Sequence, residues 1–403
     1  MATARIVIVG GGVIGLSTAY HLAGRGQAEV VLLEKGPVGD GSSTRAGGIA
    51  TTQLWAKVPI EVRKISLRRF KELAEELPHY SYHDVGCLNL FHDEESDARE
   101  AITPLYDQLG IAYEFLDAAE IRRRWPALVI DDSFRANFDP IGGYSEPDEY
   151  VPALAAGCRN RGVEIREFTP VTGFRMADRR CSGVETPAGA VEADLVLCAS
   201  HAWTTQLLSG VGWTVPAKYF VHQRFVTSPM GRPVELPAVN NHPSHGYYRP
   251  ADGNRLLVGV GTAHRMQFEP PADDERLAGL SIDEAFCHQQ RELQLNYLDL
   301  AEPVSWEITK IGLTAYSPDG QPIMGGVPGV ESLFVAGCFH SGGFAYNPGV
   351  GYVLSELLLD GKASVDMSYY APDRFSASDV GTFLGEPITE GQLGQLGGQP
   401  SRG

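Results

Sequence analysis

Three glycines near the start of the chain have the spacing of a dinucleotide-binding turn. Gly10, Gly12 and Gly15 follow a β-branched run, residues 5 to 9, and open a helical pattern. In such a turn the first glycine permits a sharp bend, the second leaves room for a pyrophosphate, and the third lets helix and strand pack closely. The free N–H groups at the helix N-terminus receive the phosphate charge. The predicted phosphate-binding turn consists of Gly10, Gly12, Val13, Ile14 and Gly15.

An acidic residue completes this pattern. A second apolar strand, residues 29 to 33, ends on Glu34. An acid at this position accepts hydrogen bonds from the adenosine ribose, and its charge disfavours the 2′-phosphate of NADP. The acid does not distinguish FAD from NAD, so the opening of the chain predicts a dinucleotide without deciding which one.

A loop of small residues follows, from residue 35 to residue 48. A loop at this place can wrap a bound cofactor, with the hydroxyl groups of its serines and threonine as hydrogen-bond donors. The alternative is an ordinary surface linker. On the first interpretation the cofactor contacts of this segment are Lys35, Ser42, Ser43, Thr44, Arg45, Gly47, Gly48 and Ile49.

A second glycine turn lies late in the chain, after another apolar strand. Gly342 and Gly343 precede a helix predicted over 347–359, with Asn347 as its cap and Pro348 as its first residue. The N-terminus of such a helix would stabilise the negative charge that a flavin acquires on reduction, whereas reduced nicotinamide is neutral. This turn therefore favours FAD. The alternative is a close packing turn between helix and sheet.

The composition limits the possible partners and compartments. The chain has 403 residues, 43% of them hydrophobic, which is enough for two domains. A net charge of -17 disfavours nucleic acid as a partner. No apolar run is long enough to cross a bilayer, and the first apolar run leads into a glycine turn rather than a signal-peptide cleavage site. The six cysteines form no C-x-x-C pair and the histidines are scattered, so we expect a cytoplasmic protein without a metal site.

The order of the elements predicts a mixed α/β (α+β) fold with two domains. A Rossmann-like FAD-binding domain is expected to be assembled from the discontinuous segments 1–80, 145–212 and 305–375. Strands with alternating faces indicate a mixed or antiparallel sheet in a substrate-binding domain, formed by 81–144 and 213–304. The Gly-, Gln- and Ser-rich residues 376–403 predict a flexible tail.

Several motifs resemble those of one enzyme family. They lie at residues 10–15 with Glu34, 41–45, 142–147, 193–199 with Trp203, 317–323, 329–335, and 341–344 through 349–351. The chain is similar to the FAD-dependent amine and amino-acid oxidoreductases, which include D-amino-acid oxidase, glycine oxidase, sarcosine oxidase and dimethylglycine dehydrogenase. The resemblance spans residues 5 to about 373 and is nearest to the sarcosine oxidase β subunit and dimethylglycine dehydrogenase. It is stronger in the FAD domain than in the substrate domain.

The resemblance implies a flavin that takes a hydride from the carbon next to the nitrogen of a secondary amine or amino acid. The product is an imine, which water hydrolyses. No acid–base residue is strictly required, because an oriented neutral amine can donate the hydride directly. Three alternatives remain open: a dehydrogenase with an acceptor other than oxygen, a flavin-binding subunit of a larger complex with little activity alone, and a different oxidation, such as that of a hydroxy acid. The expected macromolecular partner is a second copy of the chain or a hetero-oligomeric electron-transfer protein.

The chain departs from its relatives at four positions. Arg45 and Gly312 stand where relatives carry the histidine or cysteine that attaches flavin covalently, which implies non-covalent FAD. Leu257 stands near the position of a lysine that activates oxygen, and Ala345 near that of a carboxylate-binding lysine. Oxygen is then expected to be a poor acceptor, and a substrate carboxylate would be held elsewhere.

Three residues are predicted to act on the substrate. Tyr247 and Tyr248 alternate across a predicted strand, so only one can face a cavity, and we assign that role to Tyr248. Arg249 is the candidate partner of a substrate carboxylate, and His340 is placed near the flavin ring. The alternatives are core packing, a solvated strand end and a structural histidine. The remaining predicted cofactor contacts are Val171, Ala199, Trp203, Gly312, Gly342, Gly343, Phe344 and Ala345.

Four further residues are weaker candidates. Arg45 is able to clamp a substrate acid, since its guanidinium fork suits a carboxylate, or to contact the cofactor instead. His201 is a candidate base near the nucleotide, although structural histidines are more common. Tyr316 and Trp55 complete the set.

Overall fold

The computed structural model describes residues 4–260, 267–268, 277–300 and 302–388. The strands in this part of the chain are β1 (Ala4–Val9), β2 (Ala28–Leu33), β3 (Ile49–Ala50), β4 (Tyr82–His83), β5 (Cys87–His92), β6 (Glu114–Asp117), β7 (Phe134–Asp139), β8 (Gly143–Ser145), β9 (Glu164–Arg166), β10 (Gly173–Ala177), β11 (Arg180–Thr186), β12 (Gly189–Glu192), β13 (Leu195–Cys198), β14 (Lys218–Thr227), β15 (Ala238–Asn241), β16 (Gly246–Ala251), β17 (Arg255–Val260), β18 (Gln267–Phe268), β19 (Trp306–Tyr316), β20 (Ile323–Gly326) and β21 (Leu333–Gly337).

The helices of the same residues are α1 (Val13–Arg25), α2 (Lys57–Glu76), α3 (Ser96–Glu100), α4 (Thr103–Leu109), α5 (Ala118–Arg124), α6 (Pro147–Asn160), α7 (Thr204–Ser209), α8 (Glu284–Leu295), α9 (Gly343–Asp360) and α10 (Ala377–Gly385). None of these helices combines the length and the apolar character needed to cross a membrane.

A six-stranded sheet carries the first glycine turn. Its order is β20-β21-β13-β1-β2-β9, and every pair is parallel except β20 with β21. Ile6 and Ile8 of β1 face a core that includes α1, α6 and α9, while Val7 and Val9 face the small β10-β11-β12 sheet. Because both faces are covered, β1 is apolar without interruption from Ile6 to Val9 rather than alternating. The predicted α/β fold is confirmed.

A larger sheet of nine strands forms the second body. Its order is β18-β14-β17-β16-β15-β5-β7-β6. Strands β17 and β18 pair with different parts of one edge of β14, and β19 pairs with the opposite edge. Its pairs are antiparallel except β15 with β5. One face packs on an apolar core that contains Leu88, Val239 and Tyr248. Side chains one residue away along the strands point to the opposite face, so the opposite face is the one available to a ligand.

Two parts of the predicted domain division differ from the hydrogen-bond pattern. The predicted boundary at residue 305 assigns β19 to the cofactor domain, but β19 pairs with β14 along its length and so extends the large sheet. The predicted flexible tail begins at residue 376, but α10 starts there, because Ser376 and Asp379 form a reciprocal capping box. Residues 389–403 of the predicted tail lie outside the described residues.

Helix α9 begins at Gly343, four residues before the predicted cap. Asn347 is instead a buried residue of the first turns, where its Oδ1 accepts a hydrogen bond of 2.7 Å from Tyr150. Pro348 has no N–H for the carbonyl group of Phe344, and the side-chain amide of Asn347 donates to that carbonyl at 2.5 Å. The side chain therefore replaces the missing backbone bond, and the helix continues through a proline. The glycine pair is left at the true helix N-terminus.

A buried ion pair connects the large sheet to the loop that follows Glu34. Arg249 of β16 donates to both carboxylate oxygens of Glu146, at 2.6 and 2.9 Å. Its Nε donates to the carbonyl oxygen of Gly47 at 2.7 Å, and its guanidinium lies 4.2 Å from the ring centre of Tyr144. Burial opposes ionisation of Glu146, but the hydrogen bonds from Arg249 outweigh it and the pKa of Glu146 is lowered. The pair is therefore ionised in the folded chain.

The ion pair predicts a large and pH-dependent loss of stability in a single variant. Glu146→Gln leaves the Arg249 charge buried without a counter-ion, which costs about 3 to 5 kcal/mol of the free energy of unfolding. Because the folded-state pKa of Glu146 is depressed, its contribution is present above the unfolded-state pKa and is lost as the pH falls through the folded-state value. Urea unfolding at a series of pH values measures both effects.

Glu192→Gln is the matched control, since Glu192 forms an exposed ion pair with Arg175. Its cost is expected to stay below about 1 kcal/mol. Equal unfolding midpoints for the two variants would contradict the proposed importance of the Arg249–Glu146 pair.

Candidate functional site

One cavity of about 1060 Å³ extends from the N-terminus of α1 to the N-terminus of α9 and on to the polar face of the large sheet. At one end it is lined by the first glycine turn and Glu34, and at the other by Asn89, Asn240 and Tyr247. The two glycine turns, which are more than three hundred residues apart in the sequence, therefore border one space.

The glycines of the first turn are required by close backbone approaches. Gly10 has φ +112°, and a Cβ there would lie 2.9 Å from the carbonyl carbon of Ala199. A Cβ on Gly15 would overlap the carbonyl oxygen of Gly10, so any side chain would push α1 away from β1. Gly12 is the N-terminal cap of α1 and borders the cavity, as do Val13 and Ile14. Gly15 does not line the cavity, which agrees with its predicted packing role.

Glu34 organises the backbone on both sides of itself. Its Oε2 accepts the N–H of Gly11 at 2.6 Å, and its Oε1 accepts the N–H of Gly36 at 2.9 Å. Burial raises the pKa of Glu34, and these two hydrogen bonds oppose that rise. Each carboxylate oxygen keeps a second lone pair, so the side chain can still accept a hydrogen bond from a ligand hydroxyl group.

The Gly-Ser loop is tied to both ends of the cavity. The hydroxyl oxygen of Ser43 accepts the N–H of Val13 at 2.9 Å, and that of Ser42 accepts the N–H of Leu313 in β19 at 2.9 Å. Both serines line the cavity. Thr44 does not fit its predicted place, because its hydroxyl donates to the carbonyl of Gly39 at 2.8 Å and its side chain is absent from the described lining.

Three cations near this loop have partners within the protein. Arg45 lines the cavity, but its guanidinium donates to the carbonyl oxygens of Asp40 and Gly41, so it is not placed to clamp a substrate acid. Arg224 and Lys310, from adjacent strands, each donate to the carbonyl of Thr44, at 2.9 and 3.3 Å. They also form ion pairs with Asp148. These contacts fix the loop rather than a ligand.

Four further predicted cofactor contacts, Lys35, Val171, Ala199 and Trp203, line the same end of the cavity. The ammonium group of Lys35 lies 3.6 Å from the ring centre of Trp203. Trp203 Nε1 and His201 Nδ1 are buried nitrogen atoms without a hydrogen-bond partner in the structure. Buried polar atoms beside a large cavity fit a polar ligand that would supply the missing bonds. Burial lowers the pKa of His201 to about 4, so this histidine is neutral at pH 7.

The second glycine turn brings its predicted residues into the same cavity. Gly342, Gly343, Phe344 and Ala345 form the cap and first turn of α9, and all line the cavity. His340 lies beside them in the left-handed region, at φ +44°, and its backbone N–H donates to the carbonyl of Ala315 at 2.7 Å. The N–H groups of a first helical turn have no acceptor within the helix. These groups and the helix dipole therefore present positive charge to the cavity.

A row of amide side chains forms the wall that faces this turn. Asn137, Asn89, Asn240 and Tyr247 are direct neighbours across β7, β5, β15 and β16. Asn240 donates to Asn89 at 2.9 Å, and Asn89 donates to Gln53 at 3.0 Å. The Oδ1 of Asn137 is buried without a partner. The wall is polar and uncharged, and it has unused hydrogen-bonding capacity toward the cavity.

Tyr247, not Tyr248, faces the cavity. Its ring covers Gly259, lies against Gly47, and its hydroxyl group is 2.8 Å from Nε2 of His222. A Cβ at either glycine would overlap the ring, so both glycines make room for Tyr247. Tyr248 points into the apolar core on the other face, which does not fit the role predicted for it. Alternation along the strand predicts that the two rings face opposite ways, but it does not indicate which face of the sheet is buried.

Arg249 also lies outside the described lining of the cavity, because Glu146 and Gly47 occupy its guanidinium. The predicted role as a carboxylate partner is therefore not supported by its position. Gly312 lines the cavity as predicted, and a Cβ there would lie 3.1 Å from Cβ of Arg45. Leu257 is buried outside the lining, whereas Tyr316 and Trp55 line the cavity.

Two arginines of the cavity were missed from the sequence. Arg63 belongs to α2, where it lies in a buried stripe with Pro59, Ser66 and Phe70. A charged residue at a buried position of a helix is the sequence signal that indicates a functional arginine here. Arg99 of α3 lies near two aromatic rings. Among the residues that the structure describes, no group of three or more metal-binding side chains occurs.

Comparison with known proteins identifies relatives that use a dinucleotide cofactor, in agreement with the two glycine turns that border the cavity. The family model described as DAO, FAD dependent oxidoreductase, matches residues 5–357. Human mitochondrial sarcosine dehydrogenase is 28% identical over 94% of this chain and 42% of its own length. The sarcosine oxidase subunit beta of an Arthrobacter species is 26% identical over 93% of this chain and 92% of its own. The crystal structure of L-proline dehydrogenase from P. horikoshii superposes with a TM-score of 0.84, at 26% identity, over 93% of this chain and 98% of that chain.

The chain thus spans less than half of the first of these relatives and nearly the whole of the other two proteins. The family model covers both glycine turns and most of the residues that line the cavity. On these grounds the chain belongs to the DAO family of FAD dependent oxidoreductases.

Proposed function

We propose that the chain is a flavoenzyme that oxidises the C–N bond of a secondary amine or amino acid. One observation carries this proposal: a single cavity joins a dinucleotide-binding turn, the positive N-terminus of α9 and a polar wall of the large sheet. A cofactor ring between α9 and that wall would have a substrate-sized space beside it. FAD is the cofactor of the family.

When bound, FAD accepts a hydride from the carbon next to the substrate nitrogen. The first turn of α9 is placed to stabilise negative charge that arises in this half of the cavity. The amide row and Tyr247 are placed to orient the substrate through hydrogen bonds. An amine that enters neutral leaves as an iminium ion and loses its proton to water, so the chain does not have to supply a base.

Tyr247 is the chain's own group best placed to contact the substrate. Burial raises its pKa to about 12, and Arg224 and Arg249 oppose that rise, so the hydroxyl group stays protonated at pH 7. A protonated hydroxyl group can donate one hydrogen bond and accept others. Gly47, Gly259 and His222 fix the ring, which favours an orienting role over proton transfer.

We also propose that FAD is held without a covalent bond. Arg45 and Gly312 have no nucleophilic atom at the two positions where relatives are expected to attach the flavin. All six cysteines are buried thiols, and none lines the described part of the cavity. Free buried thiols also support the proposal of a reducing, cytoplasmic compartment. The macromolecular partner is proposed to be a second copy of the chain or a hetero-oligomeric electron-transfer protein.

A dehydrogenase is the second candidate, since the lysine of the described cavity lining is Lys35, which lies at the nucleotide end and not where oxygen would meet the flavin ring. Anaerobic mixing of the FAD-loaded chain with N-methyl amino acids, D-amino acids, opines and simple amines tests the function itself. Bleaching of the flavin by at least one amine is the expected result. Rapid recolouring in air identifies an oxidase, and recolouring only with a dye identifies a dehydrogenase. A flavin that no amine bleaches would favour a binding subunit of a larger complex.

The orientation of the two tyrosines gives a paired prediction. Tyr247→Phe removes the hydroxyl group from the cavity and is expected to lower the rate constant of anaerobic flavin reduction about tenfold, the effect of one hydrogen bond. Tyr248→Phe changes a ring in the apolar core and is expected to stay within about twofold of the wild type. Stopped-flow absorbance with the best amine of the panel measures both, and the reverse order would contradict the assignment.

Acid precipitation tests the attachment of FAD. Trichloroacetic acid is expected to leave the yellow colour in the supernatant, because Arg45 and Gly312 cannot form a flavin bond. Colour retained in the washed pellet would refute non-covalent binding. Mass spectrometry of the pellet would then locate the attached residue.

A further inference from the structure

The buried arginines of the chain differ in how their charge is balanced. Five are buried in the part of the chain that the structure describes. Four of them have a carboxylate partner: Arg249 with Glu146, Arg224 with Asp148, Arg291 with Glu284 and Arg99 with Glu95. For Arg63 no carboxylate of the described residues forms an ion pair, and its Nε has no hydrogen-bond partner. A buried charge without a counter-ion is costly, so an anion is expected beside Arg63.

Arg63 is placed where a ligand can supply that anion. It lines the cavity, and its guanidinium lies 4.1 Å from the ring centre of Tyr346 in α9. Its Nη2 is 2.7 Å from the position of a Cβ on Gly342, the cap of α9. The helix N-terminus and Arg63 thus present positive charge to the same point, where both favour a carboxylate.

Arg99 forms a second positive point on the same wall. Its guanidinium lies 4.9 Å from the ring centre of Trp55 and 4.8 Å from that of Phe91, and it lines the cavity. Glu95 pairs with it at 3.2 Å from the more exposed side. Burial, reinforced by the charge of Arg99, lowers the pKa of the neighbouring His242 to about 3, so this histidine is neutral.

The two arginines lie on either side of the amide row, because the row runs across the strands and the arginines are separated along β5. Burial raises the pKa of the Cys87 thiol in β5, and Arg63 is close enough for its charge to oppose that rise. Arg99 lies over Phe91, four residues further along the same strand. Four strand residues span about 13 Å, since a strand rises about 3.3 Å per residue. Asn89 lies midway between Cys87 and Phe91, on the same face.

No carboxylate of the described lining faces the substrate half of the cavity, although Glu95 pairs with Arg99 from outside that lining. In the described lining the carboxylates are Glu34 and Asp40, and both belong to the nucleotide end. This distribution contrasts with the whole chain, which carries a net charge of -17. The cations are therefore concentrated where the substrate is expected to bind.

We propose that the substrate is a secondary amine with two carboxylate groups, one bound at Arg63 and the other at Arg99. The amine nitrogen lies between them, beside Asn89 of the amide row. This inference rests on the proposed amine oxidation and adds to it a substrate class, the imino-dicarboxylates and N-carboxyalkyl amino acids. Arg63 and Arg99 are the residues that select it.

Binding of unreactive acids tests the proposal without turnover. The FAD-loaded chain is titrated by calorimetry with a series of linear dicarboxylates from malonate to azelate, and with the monocarboxylate of each length. Dicarboxylates are expected to bind at least about tenfold more tightly than the matching monocarboxylates, with a maximum at one chain length, because only that length reaches both guanidinium groups. Equal affinity of the two series at every length would overturn the proposal.

Four variants assign the two ends. Arg99→Gln is expected to reduce dicarboxylate affinity to the monocarboxylate level and to leave monocarboxylates unchanged, whereas Arg63→Gln weakens both series. Glu95→Gln removes the internal partner of Arg99 and is expected to tighten dicarboxylates. Arg123→Gln removes an exposed charge outside the cavity and controls for net charge. If Arg63→Gln shifts only the flavin reduction potential and no acid affinity, Arg63 faces the flavin and the proposal fails.

Failure of this inference can be separated from failure of the proposed function. Flavin bleaching by monocarboxylic amines, with no preference for their dicarboxylic counterparts, would keep amine oxidation and overturn the two-acid substrate. Tight dicarboxylate binding with a flavin that no amine bleaches would keep the two anion subsites and overturn the reaction.

Discussion

The buried ion pair between Arg249 and Glu146 is the contact on which the geometry of the site depends. Arg249 comes from the large sheet, Glu146 precedes α6, and the same guanidinium holds the carbonyl oxygen of Gly47. Gly47 in turn lies against the ring of Tyr247. One charged group therefore sets the distance between the cofactor loop and the substrate wall. A neutral side chain could fill this volume but could not hold a carboxylate and a carbonyl at once.

The proposed cofactor and substrate ends of the cavity differ in charge. The nucleotide end has a helix N-terminus for phosphate and an acid, Glu34, that keeps lone pairs for a hydroxyl group. The substrate end combines a second helix N-terminus with Arg63 and Arg99 and an uncharged amide row. Burial strengthens the interactions of a ligand with both ends of the cavity, because the protein interior screens charge less than water does. The same burial makes an unpaired Arg63 costly, which is why its environment points to an anion.

The errors made from the sequence share one physical cause. The predicted substrate roles of Tyr248 and Arg249 rest on their place in a strand with alternating faces. Alternation shows which side chains share a face, but it does not show which face is covered by the core. That choice depends on Leu88 and Val239, which belong to other strands, and on Glu146, which lies 103 residues from Arg249. The early start of α9 was missed for a related reason, since the side chain of Asn347 replaces the bond that Pro348 cannot make.

The cofactor half of this protein can be recognised from local sequence. Gly10, Gly12, Gly15 and Glu34 belong to one strand–helix–strand unit, so local contacts set their relative positions. The residues of the proposed substrate half can be identified only in the folded chain. Arg63, Arg99, Asn89 and Tyr247 come from four separate elements, and each is an ordinary residue until sheet register and helix packing bring it to one cavity wall. Long-range contacts carry no local sequence signal, and in this protein such contacts bring together the residues of the proposed substrate half of the cavity.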